Sequence, residues 1–89
     1  MKIKEGFILR QLCGEYIVVG EGLAQVNFNK MLSLNASAAY LWQSVAGREF
    51  TVEDMATLLT DKYEVTFEQA LKDAGKVAEV WLREGVVEQ

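Results

Sequence analysis

Three serines (Ser33, Ser37 and Ser44), one cysteine (Cys13) and thirteen carboxylates are the groups with which this chain could do covalent or acid–base chemistry. There is no histidine to activate any of them. That absence excludes a Ser-His-Asp triad, a histidine-ligated metal site and an imidazole switch near neutral pH. No serine sits in a Gly-x-Ser-x-Gly elbow. A single cysteine excludes an internal disulfide and every paired-cysteine zinc framework. Cys13 has no neighbour in sequence that would generate a thiolate, so it reads as an incidental thiol in a turn. Gly20-Glu21-Gly22 lacks the third glycine, the Lys-Ser/Thr pair and the strand–helix context of a phosphate loop. Glu53 and Asp54 fall in the first turn of a helix pattern, where carboxylates complement the helix dipole. The remaining acids alternate with lysines and arginines on helical faces. The residues therefore point to a protein that is not an enzyme and needs neither metal nor organic cofactor.

The elements that must position whatever work remains come from a short chain. Eighty-nine residues bury roughly 64% of their extended surface on folding, enough for one modest core. A single domain over residues 1–89 is expected. The net charge of −4 argues against generic affinity for nucleic acid or anionic membranes. Two lysines open the chain without a long apolar stretch behind them, so neither a signal peptide nor a membrane span is expected, and a cytoplasmic location follows. The hydrophobic share of 51% is high for so small a domain, and some of it is free to face a groove or partner rather than the core.

The chain divides near Asn35, with β-rich segments before it and helix patterns after it. Phe7 to Leu12 and Tyr16 to Val19 are runs rich in β-branched and aromatic residues, joined by Cys13-Gly14-Glu15 as a three-residue hairpin loop. Gly20-Glu21-Gly22 ends the second run. After a turn at Asn27 to Lys30, a third strand is expected over Met31 to Leu34, completing an antiparallel sheet. Asn35 then caps a first helix whose Ala38, Leu41, Trp42 and Val45 recur at i, i+3, i+4 and i+7. Asn35-Ala36-Ser37 also matches a glycosylation sequon, but the cap is the simpler role. Thr51 to Asp54 is a weaker relative of the capping box opening a second helix with Met55, Leu58 and Leu59 on its apolar face, which Tyr63 continues. Thr66 to Gln69 is the fuller capping box, and the third helix runs to Arg83 or Glu84 before Gly85 stops it.

At about 100° per residue, Phe67, Leu71, Ala74, Ala78 and Leu82 form one stripe of the third helix, opposite Lys72, Lys76, Glu79 and Arg83. Ala70, Val77, Trp81 and Val80 widen the apolar arc on one side only. Such a helix either packs against two neighbours or leaves an apolar edge open beside the sheet. Trp42 belongs to the core, whereas Trp81 suits either a core or a groove. Gly75 in mid-helix weakens it relative to alanine, and close packing on a neighbouring helix is the expected reason.

Gly6-Phe7-Ile8-Leu9-Arg10, Gly14 to Val19, Asn27 to Asn35, Ala38-Ala39-Tyr40-Leu41-Trp42, Phe50-Thr51-Val52 with Leu58-Leu59, and Lys62 to Val65 together resemble the PqqD-like proteins. Leu34-Asn35 followed by the Ala-Ala-Tyr-Leu-Trp helix carries most of the specificity, and the resemblance spans nearly the whole chain. Many relatives have Asp-Gly after the first helix where this chain has Ala46-Gly47. The resemblance implies an α+β, winged-helix-like fold, a three-stranded antiparallel sheet followed by a three-helix bundle. It implies a recognition element for ribosomally made, post-translationally modified peptides. Such a chaperone holds the leader segment of a precursor peptide and delivers it to a modifying enzyme, such as a radical SAM enzyme, a cyclase or a protease. The leader would add as a strand to Met31, Leu32, Ser33 and Leu34 and rest against Val77, Val80 and Trp81. No nucleic acid or membrane partner is implied, and the chain is expected as a monomer or weak dimer.

Two other classes compete. A winged-helix DNA-binding protein would need a basic recognition helix, yet residues 48–89 carry ten acidic and five basic side chains. A small structural subunit is the other alternative.

Overall fold

Asn35 accepts from the Ala38 amide at 2.8 Å and so starts helix α1, Ala36–Val45, as the sequence requires. The computed structural model describes residues 1–20 and 31–89. The expected Asn27–Lys30 turn, and Glu21 and Gly22 of the glycine stop, lie outside the described residues. The remaining elements are β1 (Lys2–Ile3), β2 (Phe7–Leu12), β3 (Glu15–Gly20), β4 (Leu32–Leu34), α2 (Val52–Lys62), α3 (Phe67–Arg83) and β5 (Val87–Glu88). The α+β architecture holds a three-stranded antiparallel sheet in the order β2-β3-β4 beside three helices.

Strand alternation decides which sheet residues reach the helices. Leu9 pairs with Val18 and Val18 with Leu32, while Tyr16 pairs with Leu34. These residues and Phe7 share the face that packs into the core with α1 and α3. Ala38, Leu41, Trp42 and Val45 of α1 are all buried there, as their spacing predicts.

The hairpin is tighter than expected. Leu12 pairs with Glu15, so only Cys13 and Gly14 connect the strands, with φ of 53° and 81°. Two successive positive φ values mark a type I′ turn, whose twist matches that of the strands it joins. Cys13 therefore sits in the left-handed region that side-chain-bearing residues avoid.

The two helix caps exchange the strengths assigned to them. At α2 the box is complete: the Thr51 amide donates to Asp54 and the Asp54 amide donates to Thr51 Oγ1, both at 3.0 Å. At α3 the Gln69 amide donates to Thr66 Oγ1, but the Gln69 side chain donates onward to Asp73 at 3.0 Å. Aspartate is short enough to reach back, whereas the longer glutamine finds a partner one turn ahead. Tyr63 is the C-cap of α2 rather than part of its face, and its ring meets Tyr40 edge-on with centroids 6.4 Å apart.

On α3 the buried stripe is Ala70, Ala74, Ala78 and Trp81. Its small side chains let α2, the helix with which it shares most contacts, approach closely. Phe67 departs from expectation and is 47% exposed. It lies at the helix start, where a side chain leaning toward the N-terminus passes beyond the neighbouring helix. Gly75 departs too: a Cβ placed there would have nothing within 4 Å, so no close helix contact requires glycine. The helix ends in a Schellman arrangement, with Val86 N–H donating to Trp81 C=O and Gly85 N–H to Leu82 C=O. Gly85 takes φ 77° to permit it.

What the sequence showed only as a tail is a strand. Lys2 pairs with Glu88 and Ile3 with Val87. Met1 extends this ribbon by exchanging backbone bonds with Phe50 in the α1–α2 connection. No described helix is long and apolar enough to cross a membrane.

Candidate functional site

One edge of β4 is paired with β3, and among the described residues nothing pairs with the other. Alternate amides and carbonyls of a sheet edge point outward, ready to accept another strand. Beside that edge lies a cleft of about 210 Å³. Ser33, Leu34, Asn35 and Ala38 form its sheet side, and Lys76, Val77, Val80 and Trp81 its helix side. Strand β4 leads directly into the Asn35 cap, so the same few residues end the sheet edge and begin the helix flanking the cleft. Val77 and Val80 are one turn apart on the flank of α3 turned away from the Leu71 and Leu82 edge, and both are half-buried.

The cleft brings together Ser33, Leu34, Val77, Val80 and Trp81 from the expected set. Met31 precedes β4, is 65% exposed and does not line the cleft. Leu32 is half-buried against the core on the inner face of β4. Trp81 requires a correction. Its ring is 1% exposed and sits edge-on to Trp42, centroids 5.2 Å apart, and to Phe50 at 6.3 Å. It completes the buried alanine stripe at its C-terminal end, so it backs the cleft as part of the core and offers a ligand almost no surface.

A second, larger cleft of about 540 Å³ adjoins the first and shares Asn35, Lys76 and Val77 with it. Leu41 and Leu59 form its floor, with Tyr63, Val65 and Asp73 around it. The buried floor and polar rim suit an amphipathic peptide rather than a reacting centre. The sequence reading missed Lys76, Tyr63, Val65 and Asp73 as groove residues. The available signal was the i, i+4 relation of Lys76 to Val80, which puts the lysine at the border of the apolar arc rather than on its far side.

The cleft region is not a cationic surface. Helix α3 carries Lys72, Lys76 and Arg83 against Glu68, Asp73 and Glu79, and Arg83 stands 3.9 Å from Glu79. Among the described residues no group of three or more His, Cys, Asp or Glu side chains comes together.

The whole fold is similar to a solved structure described as TbiB1 in complex with the TbiA(beta) leader peptide. The TM-score is 0.76 at 16% sequence identity, over 99% of this chain and 95% of that one. No curated protein matches the chain. The family model for coenzyme PQQ synthesis protein D matches residues 14–87, from the hairpin turn through β4, the cleft and α3 to the last strand. With sheet edge, capped helix and flanking third helix all inside that match, the chain belongs to the PqqD family.

Proposed function

We propose that this protein is a non-catalytic peptide-binding chaperone. It captures the leader segment of a ribosomally made precursor peptide by strand addition to β4 and presents it to a modifying enzyme. The observation that carries this reading is the β4 edge, unpaired among the described residues and bordered by the apolar Val77–Val80 flank of α3. A sheet edge supplies sequence-independent backbone bonds, and the adjoining cleft selects alternate side chains. Membership of the PqqD family and the likeness to a fold solved with a leader peptide support it. The balance of charge on α3 disfavours DNA as the ligand. The modifying enzyme belongs to one of the classes named above, and the working form is a monomer or weak dimer.

Val80→Asp tests the reading. Val80 is half-buried at the cleft and outside the central stripe of α3, so the variant keeps its fold. The new carboxylate faces an apolar leader side chain. Loss of an interface anchor of about 2 kcal/mol or more lowers affinity roughly 30-fold or further. The titrant is the cognate leader peptide, and its affinity is measured by calorimetry with parallel thermal melts. Ala74→Asp is the contrast: Ala74 is fully buried, so its replacement unfolds the domain. Unchanged leader affinity in a folded Val80→Asp variant moves the binding surface elsewhere.

A further inference from the structure

The two clefts meet at Lys76, and that residue differs from everything else around it. Asn35, also at the junction, already accepts from the Ala38 amide and the Ser37 hydroxyl. Asp73, on the second cleft only, accepts from the Gln69 side-chain amide. The Lys76 ammonium makes no hydrogen bond or ion pair with a described residue, and among the described residues it is the only charged side chain lining the first cleft. A cation without a partner among the described residues, placed where an apolar groove turns from a sheet edge into a larger cavity, is complementary to one anionic group on the occupant. The chain as a whole carries −4, so an acidic group on a peptide is favoured only where a local cation outweighs that background.

We propose that Lys76 sets the specificity of the groove: the bound peptide places an acidic side chain beside it on leaving the β4 edge, and a bulky apolar side chain just beyond, in the second cleft. This rests on the peptide-binding reading above and adds the chemistry of the segment recognised. Asp73 lines the second cleft but not the first, which fixes the order. The carboxylate stays on the β4 side of Lys76, away from Asp73. The apolar group continues over Leu41 and Leu59 toward Tyr63 and Val65. A volume of about 540 Å³ accommodates an aromatic or long aliphatic side chain together with its backbone.

The experiment uses a displayed library of random linear peptides selected on the full chain, followed by anisotropy titration of individual peptides. Selected peptides should carry Asp or Glu at one fixed position and a large apolar residue at a second fixed position a few residues away. One such peptide, made with Glu and with Lys at that position, is then titrated against the parent protein and Lys76→Glu. The expected result is a reversal of preference, about fivefold in each direction, because each pairing exchanges an exposed attraction for a repulsion. Lys76 is exposed, so the melting temperature should stay put, and a reversal cannot arise from general loosening. Peptides that Val80→Asp abolishes but that show no acidic preference, or no reversal with Lys76→Glu, overturn this inference alone. Peptides indifferent to Val80→Asp, or no enriched peptides at all, overturn the groove itself and the inference with it.

Discussion

Replacing Gly75 with alanine should make this protein more stable. Gly75 lies in the middle of the 17-residue α3, on ordinary helical backbone, and an added Cβ has nothing within 4 Å to strike. The folded state therefore accepts the methyl group without rearrangement. Glycine in a helix interior is about 0.8–1.0 kcal/mol worse than alanine. Much of that difference acts through the unfolded chain, which loses more freedom on folding when glycine is present. For a domain of this size, 1 kcal/mol corresponds to roughly 4–8 °C in melting temperature. The assay is thermal and urea unfolding of Gly75→Ala beside the parent, followed both by far-ultraviolet circular dichroism and by fluorescence of Trp42 and Trp81. The two probes should give one coincident transition, the outcome expected of a single cooperative domain. The midpoint should rise without a change in denaturant slope. A lower or unmoved midpoint would refute the reasoning, because it would mean that a neighbour comes close to Gly75 after all.

Two further substitutions probe other parts of the structure. Cys13→Asn should raise the urea midpoint, since asparagine tolerates the left-handed φ of 53° and Asn-Gly is the preferred type I′ pair; a lower midpoint would argue against the two-residue turn. Trp81→Ala should cost about 3–5 kcal/mol, a large part of the roughly 4–13 kcal/mol available to a chain of this length. A loss in urea unfolding of under about 1 kcal/mol would mean that the Trp42–Trp81–Phe50 cluster is not the centre of the core.

How far the structure could be read from the residues depended on how narrowly each pattern constrained the packing. In α1 the apolar residues occupy one face and Asn35 stands directly before them, so start, face and burial all followed. In α3 the apolar arc runs from Leu71 and Leu82 round to Val80. A helical wheel cannot tell which part of so wide an arc meets a neighbour. The answer lay in side-chain size: the small Ala70, Ala74 and Ala78 are buried with Trp81, while Leu71, Val77, Val80 and Leu82 fall to the half-buried flanks. Phe67 misled because hydrophobicity says nothing about whether a helix end has anything to pack on. The hairpin loop was one residue too long because strand-forming tendency does not register which residues pair. The β4 edge and the Val77–Val80 flank were placed through family resemblance joined to the helical wheel. Lys76 escaped because its i, i+4 relation to Val80 marks the border of the apolar arc without showing that a cleft lies there.

The ribbon of β1 and β5 has a kinetic consequence. Pairing Lys2 with Glu88 closes a loop of almost the entire chain, and closing such a loop in an otherwise open chain costs on the order of 4 kcal/mol in entropy. Two residues on each side return little when they pair alone. The ribbon therefore gains nothing by forming early, and becomes favourable only once the hairpin and helices have already brought the chain ends together. It should be the last element to acquire protection against hydrogen exchange during refolding and the first to lose it. Refolding experiments that follow only helix content will then register completion before the ends of the chain have closed.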